Sequence, residues 1–132
     1  MENSTLIYKE LSYKINSLCF DVHNQIGGGL LEKVYQKALS IALSNARISF
    51  EEQVKAPILF HNEIIDYGFI DFLIEKKIVL EIKKDPKFVP ANFTQVEKYL
   101  NALDISLVLL IHFGYEKVII RRVINKNHFN KL

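Results

Sequence analysis

Apolar residues recur at spacings of three and four near the start of the chain. Leu11, Ile15, Leu18, Val22 and Ile26 fall on one helical face, predicting a helix over residues 8–26. The triplet Gly27, Gly28, Gly29 ends it. A second helix is predicted over residues 29–47, with Leu31, Val34, Ala38 and Ile41 or Ala42 turned inward, so that the two helices form a bent pair. From Phe50 the period shortens. The β-rich runs "FEEQVKAPILF", "IIDYGFIDFLI" and "KIVLEIKK", separated by "HNE" and "EKK", predict a three-stranded antiparallel meander. Pro57 marks a bulge or an edge, because proline brings no N–H to a ladder. Pro90, followed by Val96, Leu100 and Leu103 on one face, predicts a helix over residues 91–103. "SLVLLIHF" suits a strand buried on both faces, and "KVIIRRVI" is the last strand. The order is ααβββαββ, with no repeat or low-complexity tract. Residues 1–132 therefore read as a single α/β domain, helices flanking one mixed sheet.

Composition narrows the picture. A chain of 132 residues that is 49% hydrophobic supports one real core and not two. A formal charge of +2 lacks the global basicity of many nucleic-acid binders, so any such role rests on local patches. The lone cysteine, Cys19, sits in an apolar helical pattern and reads as a buried structural thiol, which suits the cytoplasm. The first residues lack a secretory pattern, and no apolar run is long enough to span a bilayer.

The stretch "DFLIEKKIVLEIKK" carries unusual charge for a core hairpin. Alternation along a strand puts Glu81 and Lys83 on one face and Leu80 and Ile82 in the core. A three-residue loop at 75–77 puts Asp71 directly opposite Glu81, about 5 Å away, close enough for one cation to touch both carboxylates. Taken alone these residues read as the solvated face of an antiparallel sheet, balanced by an ion pair. Two carboxylates with no lysine opposite them repel, however, unless something positive neutralises them. Gln95 and Tyr99 share one face of the third helix and can be aimed at the same place. Glu32 near the start of the second helix has a helix-dipole role available to it, and Tyr35 one of half-buried packing. His61, His112 and His128 show no metal-ligand spacing and receive no chemistry.

Together these segments resemble a known group. "GGGLLEKVYQKAL" is similar to the signature of the GxxExxY protein family, with Gly29, Glu32 and Tyr35 in the naming positions; "VHNQIGGG", "DFLIEKKIVLEIK", "QVEKYLNAL" and "LLIHFG" extend the likeness from about Leu11 to Asn125. That family resembles the PD-(D/E)xK nuclease superfamily, in its RecB and lambda-exonuclease-like branch, with a restriction-endonuclease-like core. The chain departs from the pattern at "GFID", where a basic residue often precedes the aspartate, and at Gly28, where proline is frequent.

The resemblance implies a nuclease that hydrolyses phosphodiester bonds of nucleic acid, DNA favoured, with Mg²⁺ or Mn²⁺ as cofactor. It implies Asp71, Glu81, the carbonyl of Ile82 and Glu32 as metal-binding groups, Lys83 as the electrostatic catalyst, and Gln95 with Tyr99 as positioning groups. Tyr35, His23, Lys84 and Lys87 are the implied nucleic-acid contacts, and Lys76, Lys77, Arg121, Arg122 and Lys126 are further cations available to phosphates. The competing functions are a non-cleaving or partner-dependent nucleic-acid-binding module on the same fold, and an interaction protein that needs no metal.

Overall fold

The computed structural model describes residues 7–87 and 90–125, with residues 90–93 and 95 described in backbone only. Its elements are α1 (Lys9–Ile26), α2 (Glu32–Asn45), β1 (Phe50–Phe60), β2 (Glu63–Ile74), β3 (Ile78–Ile82), α3 (Pro90–Leu103), β4 (Leu107–Phe113) and β5 (Val118–Ile124), the predicted ααβββαββ order. His128 and Lys126 lie outside the described residues. The strands form one sheet in the order β1-β2-β3-β4-β5. Every pairing is antiparallel except β3–β4, which is parallel. Parallel neighbours need a crossover, and α3 supplies it.

Two cores sandwich the sheet. On one face α1 and α2 bury Ile15, Cys19, Tyr35, Leu39 and Leu43 against Phe72, Leu80, Leu109 and Phe113. On the other, α3 sets Val96 and Leu100 against Ala56, Ile70, Val79 and Leu110. Cys19 is fully buried, as predicted, and burial pushes its thiol up to about 12. None of the described helices is long and apolar enough to cross a membrane.

The second helix departs from expectation. It begins at Glu32, leaving Gly29 to Leu31 in the connecting loop, and it buries Tyr35, Leu39 and Leu43. Leu31 and Val34, expected inside, are exposed, whereas Ala38 packs against the core as expected and, of the pair Ile41 or Ala42, it is Ala42 that does so. The helix carries two apolar stripes, so hydropathy alone could not choose between them. The stripe whose tyrosine can also satisfy a loop carbonyl is the one that turns inward. In α1 the polar Ser12 takes a core position that the pattern did not assign, while Ile26 at the end is exposed.

Pro57 lies on β1, an edge strand, and the register shifts just beyond it, between Ile58 and Leu59. The central hairpin hides an irregularity that simple alternation did not anticipate. Ile70 and Leu73 both join the α3-side core, while Phe72 and Ile74 join the other. Strict period two cannot put residues three apart on one face, so β2 changes faces across Asp71. Directly across, Gln53 has φ of 50° and falls out of the otherwise regular β1–β2 register. The β2–β3 ladder stops at Phe72–Leu80, one pair short of Asp71. This break in the sheet is where the charged residues gather.

Candidate active site

All five residues of β3 are buried, Glu81 included at 8% exposure. The polar face expected of this strand is therefore an internal one. Where the ladder would continue, side chains replace it: the Asp71 N–H donates to Glu81 Oε1 at 3.4 Å, and the Ile82 N–H donates to Asp71 Oδ2 at 2.8 Å. Gln53 Nε2 donates to Asp71 Oδ1 at 3.4 Å, and Gln36 of α2 donates to the Asp71 carbonyl at 3.1 Å and to Glu52 at 3.0 Å. Asp71 is thus held on every side. Desolvation pushes the Glu81 carboxyl from 4.5 up to about 8; the facing Asp71 charge adds to the rise, and Lys83 opposes it.

A cavity of about 710 Å³ opens at this end of β3 and is lined by Glu32, Asp71, Glu81, Ile82, Lys83, Lys84, Asp85, Pro86 and Lys87. The structure therefore brings together five of the expected metal-binding and catalytic residues, Glu32, Asp71, Glu81, Ile82 and Lys83, with two of the expected nucleic-acid contacts, Lys84 and Lys87, from three separate stretches of chain. Because β3 and β4 are parallel, both carboxyl ends point to the same edge of the sheet, a common location for ligand sites in such folds. That geometry recruits a residue the sequence reading passed over. His112 Nδ1 lies 3.0 Å from the Lys83 carbonyl oxygen, and the Lys83 N–H donates to the Ile111 carbonyl at 2.6 Å. The backbone of Lys83 is fixed from two sides by β4. The clue lay in "IHFG": a histidine one residue from the end of a central strand.

Glu32 is placed by the glycine loop. Gly27 and Gly29 have φ of 76° and 80°, a region that favours glycine. A Cβ on Gly28 would collide with the Gly114 carbonyl, so the α1–α2 loop docks backbone to backbone on the β4–β5 turn. Tyr35 locks the loop: its hydroxyl donates to the Gly27 carbonyl at 2.7 Å and accepts from the Leu30 N–H at 3.2 Å, and its ring stacks on Phe113 at 4.2 Å. Glu32, one turn earlier, is then exposed into the cavity. The three positions Gly29, Glu32 and Tyr35 are a loop, the carboxylate it presents, and the brace that fixes it.

Several expected contacts are placed otherwise. Tyr35, expected half-buried and near nucleic acid, is only 3% exposed. His23 turns its Nε2 to the Gly114 carbonyl at 2.6 Å, clamping the same turn. Arg122 points into the α1–β5 interface, donating to Ser12 Oγ at 2.7 Å and the Ile7 carbonyl at 2.6 Å, and burial lowers its pKa. Lys76 and Lys77 lie in the β2–β3 turn, at the opposite end of β3 from Lys83. Tyr99 does not line the cavity; its ring covers Gly68 on β2, where a Cβ would collide with it. The side chain of Gln95 lies outside the described residues.

The donor chemistry suits a hard divalent cation. Two carboxylates, one of them desolvated, meet beside a strand end, and a proton or a cation can relieve both the burial of the Glu81 charge and its repulsion by Asp71. Among the described residues no three acidic, His or Cys side chains converge tightly enough to enclose an ion. The set is a pair with Glu32 further along the wall, compatible with Mg²⁺-type binding by one or two carboxylates plus water.

The crystal structure of SSO0001 is similar in fold, with a TM-score of 0.54 and 21% identity over 70% of this chain, which spans 48% of that one. No curated protein matches. A sequence profile of the PD-(D/E)XK nuclease superfamily matches residues 9–123, nearly the whole described chain, and the chain belongs to that superfamily.

Proposed function

We propose that the protein is a metal-dependent nuclease that hydrolyses phosphodiester bonds, with DNA the favoured substrate and Mg²⁺ or Mn²⁺ the cofactor. The observation that carries this reading is the convergence of Asp71, Glu81 and Lys83 on one cavity at the break in the sheet, with Lys84 and Lys87 on its wall. Asp71 and Glu81, with the Ile82 backbone, would hold the ion, which when bound supplies Lewis acidity and neutralises phosphate charge. Lys83 stabilises the negative charge that grows on the phosphoryl oxygens and orients the attacking water. Its backbone is fixed to Ile111 and His112, which sets where the side chain leaves the strand. Glu32 would hold a ligand water or a second metal ion, and Lys84 and Lys87 hold flanking phosphates. Gln95 on α3 is the proposed positioning group; Tyr99, whose ring covers Gly68 away from the cavity, leaves that role. The glycine loop, Glu32 and Tyr35 support placing the chain in the GxxExxY group and the RecB and lambda-exonuclease-like branch. The inert, buried Cys19 suits a cytoplasmic protein.

Digestion of single-stranded, duplex and branched DNA and RNA, with Mg²⁺, Mn²⁺ or chelator, tests this. Cleavage that requires metal and is lost in Glu81→Gln is expected. Salt-sensitive binding without turnover on any substrate would leave the non-cleaving module as the better reading.

A further inference from the structure

The cavity of the carboxylates does not end at Glu32. A second cavity of about 700 Å³ shares Glu32, Ile82, Lys83, Lys84 and Pro86 with the first and continues toward the β4–β5 turn. The two are halves of one cleft with unlike walls. The first half is acidic and basic; the second adds Leu30, Leu31, His112 and Tyr115. Leu30 is 45%, Leu31 66% and Tyr115 86% exposed, so the fold does not use their apolar surface.

The backbone that carries them is nevertheless anchored. The ring of Tyr115 lies over Gly29, where a Cβ would stand 2.6 Å from it. The turn that carries it is held by the Gly28–Gly114 contact, by His23 on the Gly114 carbonyl, and by the Gly114 N–H donating to Lys117 at 3.0 Å. The loop that presents Glu32 to the first half therefore presents Leu30, Leu31 and a seated aromatic ring to the second.

A nucleotide has the same division, a charged phosphate joined to a flat apolar base. We propose that the second cavity is a nucleobase subsite, in which the base next to the reacting phosphate leaves its strand and stacks on Tyr115 beside Leu31. This rests on the nuclease reading and deepens it by naming the substrate class. A base stacked and paired within a duplex presents no free face, so the cleft takes single-stranded ends, flaps or frayed termini. His112 ties the subsite to catalysis, since it lines this half while bonding the Lys83 carbonyl.

The test uses the Glu81→Gln protein as a non-cleaving host and a short single-stranded DNA with 2-aminopurine moved along it. Fluorescence quenching confined to one position is expected. An abasic nucleotide there should weaken binding about tenfold, the scale of one base–aromatic stack. Tyr115→Ala should remove both the quenching and the preference for a base over the abasic nucleotide; Tyr115→Phe should keep both. The same sequence as a blunt duplex should show no quenching. Uniform or absent quenching, or a full base preference in Tyr115→Ala, overturns the subsite. Its failure is separable from that of the nuclease reading. Parent protein that cleaves with Mn²⁺ while Tyr115→Ala keeps its base preference retains the nuclease and loses the subsite. Position-specific, Tyr115-dependent quenching in a protein that cleaves nothing does the reverse.

Discussion

The Asp71 N–H donates to Glu81 Oε1 at 3.4 Å, while the Asp71 carboxylate repels that same side chain and helps lift its pKa to about 8. One residue therefore both binds and destabilises the charge on the other. Since the folded pKa lies above the unfolded one, the protonated carboxyl favours the fold. Its contribution is fully present below about pH 4.5 and is lost as pH rises through about 8. Denaturant unfolding in chelator should show stability falling across this window, by on the order of a few kcal/mol at most. Glu81→Gln should flatten that slope.

The same proton competes with a cation. Binding of Mg²⁺ or Mn²⁺ should tighten about tenfold per pH unit up to about pH 8 and then level off, with close to one proton released in calorimetry below that point. Affinity independent of pH would remove Glu81 from the ligand set.

Lys83 and Glu81 have separable roles. Glu81→Gln should lose metal binding and cleavage together. Lys83→Ala should bind metal as well or better, because a nearby positive charge is gone, yet turn over on the order of 10²-fold more slowly. Metal titration and the rate at saturating Mn²⁺ decide; a Lys83→Ala variant with parental rates would strip the site of its electrostatic catalyst.

The glycine loop should be more sensitive at Gly28 than at Gly27. Gly28→Ala drives a methyl into the Gly114 carbonyl, whereas a methyl on Gly27 meets open space and faces only its positive φ. Losses of about 1–3 kcal/mol for the former and about 1 kcal/mol for the latter are expected in thermal unfolding. Cleavage should fall further in Gly28→Ala, since Glu32 moves with the loop.

Cations on the cavity and cations in the fold should separate by salt dependence. Lys84→Ala or Lys87→Ala should each reduce the slope of log affinity against log salt by about one. Arg122→Leu should leave that slope alone and lower stability by about 1–3 kcal/mol, because Ser12 and the Ile7 carbonyl lose their partner. A changed slope in Arg122→Leu would place that guanidinium at the phosphates after all.

Order, type and approximate span of every element were legible in the chain, because hydrophobic period and turn residues are local signals. The strand-end charge pair was legible in part: the three-residue turn sets Phe72 opposite Leu80 and so brings Asp71 near Glu81, but the ladder stops before that pair and a side-chain contact replaces it. Two apolar stripes on α2 were not resolvable in that way, and the choice went to Tyr35, whose hydroxyl partner eight residues earlier is visible only once the loop has closed.

The break in the sheet, the burial of Glu81, the diversion of His23 and Arg122 into the scaffold, and the recruitment of His112 were decided by tertiary structure alone. Each depends on contacts between segments up to 115 residues apart. Local sequence sets which side chains a strand offers. The neighbouring strand decides whether those side chains meet water, each other or a ligand, because only packing removes the solvent that would otherwise satisfy them.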